Sequence, residues 1–194
     1  ALEAWARASG GRTLPKEPLR ILSSGDRFPI WVRMAIDWLV GLGGDDFAQV
    51  DPEVSPGLAI SNLLETEAMK LPNDATELAA RLLARTAERV GKSTAKLLLA
   101  WLSTSRSGLV SADLVAMLSR YSDLVNGVEL TVARLKRALG SQLVTVDRTG
   151  RLAFSHALMR EAASRNVTWE THRQIAEYLM ELPIVDDVGR LDIV

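Results

Sequence analysis

The stretch Leu143-Val144-Thr145-Val146-Asp147-Arg148-Thr149-Gly150-Arg151-Leu152-Ala153-Phe154 decides how this chain is read. Two short runs rich in β-branched and apolar residues flank a polar turn that ends in glycine, which is the pattern of a β-hairpin. Elsewhere the apolar residues recur with helical spacing.

Working outward from the hairpin, Ser93 is placed to cap a helix whose core is Leu97–Leu102. Ser111 caps a short helix over Ala112–Arg120, and another runs from about Leu130 to Leu139 and ends at Gly140. Three helices followed by a hairpin is the winged-helix order, a variant of the helix-turn-helix. Helices resume at about His156–Arg165 and Thr168–Leu182.

The N-terminal half reads as helices alone. Leu2–Ala8 looks like the tail of one, and Thr13-Leu14-Pro15-Lys16-Glu17 starts the next, which ends near Ser23-Ser24-Gly25. Asp26 caps the most hydrophobic helix, running to about Leu42, with Trp31, Ala35, Trp38 and Leu42 on one face. A helix this apolar belongs at the centre of a cluster. Residues 45–57 read as a loop. Leu58–Leu71 is a helix with Ile60, Leu64, Ala68 and Leu71 in a stripe, and Pro72 stops it. Asp74-Ala75-Thr76-Glu77 is a capping box opening a helix to about Val90. The fold class is therefore mainly α: a helical subdomain over 1–91, a winged-helix domain with one short β-hairpin over 92–166, and a trailing helix over 167–194.

Composition narrows the partners. The 194 residues carry a net charge of −1 and contain no cysteine. Without cysteine there is neither a disulfide scaffold nor a thiolate metal site. A chain devoted to nucleic acid usually shows a basic field, so the charge does not point to nucleic acid as the main partner. No apolar run approaches the roughly 18–20 residues needed to span a bilayer, and the start has no signal-peptide pattern. The expectation is a cytoplasmic, membrane-free protein. Ala1 sits inside a helical pattern, as if the chain were cut from something longer.

Candidate chemistry is sparse. Gly91-Lys92-Ser93-Thr94 looks like the end of a phosphate-binding loop, but Thr86 stands where its first glycine belongs and the preceding segment reads as helix. The two histidines, His156 and His172, have no ligand at metal spacing. No pair of carboxylates is singled out for acid–base work. We therefore expect no catalytic residue, no metal and no enzymatic activity in this chain alone. Arg134, Lys136 and Arg137 before the hairpin and Arg148 and Arg151 within it could contact DNA.

Several segments, in order, resemble the STAND class of signalling NTPases, especially bacterial NACHT-type ATPases. Asp26-Arg27-Phe28-Pro29-Ile30-Trp31 is similar to the segment that opens a helix of their helical lid. Ser105-Arg106-Ser107-Gly108-Leu109 and Asp113-Leu114, Arg134-Leu135-Lys136-Arg137-Ala138-Leu139, Phe154-Ser155-His156-Ala157-Leu158-Met159-Arg160-Glu161-Ala162 and His172-Arg173-Gln174-Ile175-Ala176-Glu177-Tyr178-Leu179 resemble their winged-helix region. The resemblance implies that Pro29 lies against the adenine of a bound nucleotide. It also implies that His156 matches the histidine of the MHD motif, which touches the β-phosphate of ADP; Ala157 stands where that motif has its aspartate.

On this resemblance the chain is a regulatory fragment that closes over ADP and gates nucleotide-dependent oligomerisation and signalling. ADP or ATP would bind only together with an upstream P-loop core of the same protein, with sensing repeats downstream. The alternatives are a DNA-binding winged-helix regulator and a ligand-free protein–protein interaction scaffold.

Overall fold

The computed structural model describes residues 14–24, 27–47, 55–124, 126–146, 148 and 150–182. The proposed helix over Leu2–Ala8, the caps at Thr13 and Asp26, and the trailing segment beyond Leu182 lie outside these residues. The chain divides into two compact units, Ala1–Leu82 and Leu83–Val194.

The first unit holds α1 (Lys16–Ser23), α2 (Pro29–Val40), α3 (Gly44–Phe47), α4 (Pro56–Met69) and the start of α5 (Ala75–Val90). Proline opens α2 at its first helical position, where its missing N–H costs no hydrogen bond. Phe28 occupies the N-cap. As its composition demands, α2 buries Trp31, Val32, Met34, Ala35, Ile36 and Leu39. Trp38 is half-buried and donates through Nε1 to Glu67 Oε2 at 3.3 Å. Leu19 and Leu22 of α1 join the same core, with α4 packed on both helices.

Three readings of this half need correction. The supposed loop over 45–57 contains most of the short α3 and the first two residues of α4. Leu64 and Ala68 of α4 are buried, as is Leu71 just beyond its end, but Ile60 is 40% exposed and Ala59 is buried instead. At α5, Asp74 Oδ1 accepts from the Glu77 N–H at 2.8 Å, while the Glu77 carboxylate takes Arg81 at 2.9 Å. Only the Asp74 arm of the expected reciprocal box is therefore formed, and Glu77 makes an ion pair one turn on.

The second unit is built around α6 (Lys92–Thr104), in which Leu98, Leu99, Ala100, Trp101 and Leu102 are all buried. Then come β1 (Leu109–Val110), α7 (Ser111–Tyr121), α8 (Val128–Leu139), a 3-10 turn (Gly140–Gln142), β2 (Leu143–Thr145) and β3 (Arg151–Phe154). The unit continues with α9 (Ala157–Ser164) and α10 (Trp169–Glu181). The protein is thus mainly helical with a small three-stranded antiparallel sheet of order β1-β3-β2. The hairpin pairs Leu143 with Phe154, Val144 with Ala153 and Thr145 with Leu152. All four residues of the central strand, β3, are buried, while β2 at the edge is largely exposed.

Strand β1, which pairs Leu109 with Leu152, was not foreseen. Neither was the identity of two caps. Gly91 rather than Ser93 holds the N-cap of α6, and Val110 rather than Ser111 holds that of α7. Thr168, which was not singled out as a cap, caps α10 by exchanging backbone and side-chain bonds with Thr171.

Gly108 makes β1 possible. Its φ is +86°, and a Cβ there would lie 2.6 Å from the Leu152 carbonyl oxygen. Gly150 has φ +78° with open space around it. Both positions carry the left-handed penalty of about 1–2 kcal/mol for a side chain, but only Gly108 adds a steric clash worth roughly 1–3 kcal/mol. Gly108→Ala is expected to lower unfolding stability by at least about 2 kcal/mol, clearly more than Gly150→Ala. Urea unfolding followed by circular dichroism measures both. Equal losses would mean that close approach to β3 is not what requires Gly108.

Candidate functional site

The junction between β3 and α9 places His156. The Ser155 N–H donates to the Gln142 carbonyl at 2.9 Å, tying the end of β3 to the 3-10 turn. His156 follows in extended conformation at the N-cap of α9. Its Nδ1 accepts from the Leu158 N–H at 3.1 Å. Its carbonyl accepts from Met159 N–H at 3.2 Å and Arg160 N–H at 3.3 Å. The donors that open a helix normally lack partners; here one histidine satisfies two of them, Leu158 and Met159, and its carbonyl also takes the first regular bond of the helix from Arg160.

Because Nδ1 accepts, the proton of the neutral ring is assigned to Nε2. The residue is exposed, and Nε2 makes no hydrogen bond to the described residues. His156 is therefore a helix cap through one nitrogen and a free donor through the other. Arg160 stands one helical turn further along α9.

Pro29 lies in the first unit, exposed at the start of α2. Its surroundings include residues that sequence reasoning passed over. The Arg27 guanidinium stacks over the Trp31 ring at 4.0 Å and donates to Asn73 Oδ1 at 3.2 Å. Trp31 Nε1 donates to the Pro72 carbonyl at 2.8 Å. These bonds fix the entry to α2 against the link between α4 and α5. Arg27 and Trp31 are four residues apart, and that spacing was the available signal. Pro29 and His156 thus belong to different units, each with its own local support.

The Gly91-Lys92-Ser93-Thr94 segment sits between two helices, not after a strand. Gly91 donates its N–H to the Ala87 carbonyl at 2.9 Å, and its own carbonyl accepts from Ala95 N–H at 2.8 Å. Thr86 is buried within α5. The geometry of this segment is that of a helix-to-helix junction. Among the described residues no group of three histidine, aspartate or glutamate side chains is placed to hold a metal ion.

A second polar cluster, also missed, links α10 to α6 and α7. Trp101 Nε1 donates to Gln174 Oε1 at 3.0 Å, both residues buried. Tyr178 donates its hydroxyl proton to Asp113 Oδ1 at 2.8 Å, and Asp113 is itself buried. Tyr121 donates to Glu177 Oε2 at 3.2 Å, and Arg120 binds both oxygens of Glu181. Arg120 holds the Glu181 carboxyl below the usual carboxylate range. Burial and, next, the bond to Glu177 raise the Tyr121 phenol. The Arg120–Glu181 pair therefore contributes at neutral pH and is lost as pH falls through the lowered carboxyl value.

No family model, curated protein or solved structure matches the chain.

The exposed face of α8 carries Arg134, Lys136 and Arg137, and Arg148 is exposed in the hairpin turn. Over Ser111–Asn166 there are eight basic residues and five acidic ones, a net of +3. Phosphate neutralisation dominates duplex affinity, and this is a modest charge for it. Submicromolar duplex binding at physiological salt is not expected. A mobility shift in that range, weakened by Arg134→Ala or Arg137→Ala, would establish a DNA-binding role instead.

The cap itself is testable. His156→Ala should cost about 1 kcal/mol of stability in the second unit, and His156→Asp or His156→Asn should restore it, because both side chains cap well. Thermal unfolding of the three variants checks this. Equal stability of His156→Ala and the unsubstituted chain would mean that the Nδ1 bond contributes nothing.

Proposed function

We propose that the chain is the regulatory part of a STAND/NACHT-type ATPase, combining a helical lid with a winged-helix domain, and that it closes over ADP bound to a nucleotide-binding core elsewhere in the same protein. The element order of the second unit supports the winged-helix reading. A helix, a short strand, two helices and a hairpin follow one another, and the short strand pairs with the second arm of the hairpin.

The observation that carries the nucleotide reading is the state of His156. Its ring is held by the Leu158 N–H, and Nε2 is left exposed as a donor at the mouth of a helix. An imidazole N–H to a phosphate oxygen is a charge-assisted bond worth roughly 1.5–3 kcal/mol. Differential contact of that size shifts a closed-to-open ratio by about ten- to a hundredfold. Pro29, exposed at the start of α2, would supply an apolar surface for the base. In this reading ADP holds the closed arrangement, and exchange for ATP releases it towards oligomer and signal.

His156→Asp separates this role from capping. It keeps an N-cap acceptor but sets a carboxylate against the phosphate. The full-length gene product should purify with bound ADP, detected by chromatography of the denatured protein. His156→Asp should lose that ADP about ten- to a hundredfold faster while the melting temperature of the second unit stays unchanged. A full-length protein that carries no nucleotide overturns the reading; retention of ADP by His156→Asp removes His156 from it.

A further inference from the structure

Helix α10 is built the wrong way round for a helix fixed by its apolar face. Of its 13 residues only Thr171, Gln174 and Ile175 are buried, so a single buried residue is apolar. Its two largest apolar side chains point to solvent: Trp169 is 76% exposed and Met180 is 78% exposed. By contrast α9, only eight residues long, buries Met159, Ala162 and Ala163.

What attaches α10 is a ladder of polar bonds. Gln174 takes the Trp101 indole N–H, Glu177 takes the Tyr121 hydroxyl, Tyr178 binds the Asp113 carboxylate, and Glu181 binds Arg120. Trp101 and Tyr121 meet edge to face at 6.3 Å beneath it. Each group in this ladder can exchange its partner for water, so much of the attachment is replaced when the helix lifts. The buried apolar residues of α6 and β3 have no such replacement.

From this contrast we infer that α10 is a releasable strap, which opens from the α6–α7 groove as one unit while the rest of the second unit stays folded. Its release frees the Trp101 indole N–H, the Tyr121 hydroxyl and the Asp113 carboxylate from their partners on α10. The inference does not depend on nucleotide binding and stands whether or not the reading of His156 does.

Hydrogen exchange with mass spectrometry on the whole 194-residue chain tests it. The amides of α10 should exchange together at least tenfold faster than those of α6 and β3. Tyr178→Phe removes the bond to the buried Asp113 carboxylate and should speed α10 a further tenfold or more, leaving α6 and β3 unchanged. Arg120→Gln, an exposed and milder change, should speed α10 a few-fold at its C-terminal end. The inference fails if α10, α6 and β3 lose protection in one step. It fails equally if Tyr178→Phe accelerates all three alike, or if both variants leave α10 at its original rate.

Discussion

The second unit depends on how α6 is enclosed. Leu98, Leu99, Ala100, Trp101 and Leu102 are consecutive and all at most 2% exposed. Consecutive residues point round the whole circumference of a helix, so no face is left for water. Neighbours must then arrive on every side, and α7, α9, α10 and β3 all pack on α6. Trp101 adds a sharper demand. Its indole N–H is buried and needs an acceptor, and Gln174 is the group that provides one. A buried polar atom on α6 thus helps set where along α10 contact is made.

How far this was legible depends on the range of the forces involved. The hairpin could be read because alternation and turn chemistry are local. The Asp74 cap could be read because side chain and backbone donor are three residues apart. Strand β1 could not, since two residues carry no period; it exists only because Gly108 lets the backbone approach Leu152. The caps at Ser93 and Ser111 were misplaced because both serines already lie within the first turn of their helices, which begin at Lys92 and Ser111. Ile60 has the right spacing from Leu64, yet it lies near the start of α4, where residues 55–58 are also exposed. Periodicity gives the direction of a face but not how much of its length is covered.

The candidate site was partly legible for the same reason. A strand followed closely by a helix puts His156 at a junction, and that much follows from the sequence. The use of Nδ1 as a cap does not, because it depends on the ring's rotamer. Asp113–Tyr178 and Tyr121–Glu177 are separated by 65 and 56 residues, respectively, and carry no sequence signature. The arginines divide in a similar way. Arg120 and Arg173 are bound to glutamates on α10, whereas the cationic face of α8 was evident from composition but its meaning depends on net field. With Arg120 paired, that field is weaker than a residue count suggests.

Two successive helices pack on α6 by different chemistry, and this difference bears on the site. Helix α9 is held by Met159, Ala162 and Ala163, and it also packs on β3. Burial of that kind responds little to ions and is not replaced by water. Helix α10 is held by hydrogen bonds and an ion pair, which water and salt do replace. His156 caps the apolar-docked helix and follows the buried strand, so the groups that orient its ring are not those that hold α10. A histidine that presents Nε2 to an anion needs such a fixed base, because the bond weakens steeply as its angle departs from linear. The contacts that hold the His156 junction and those that hold α10 therefore differ in chemistry, although both helices pack on the same central helix.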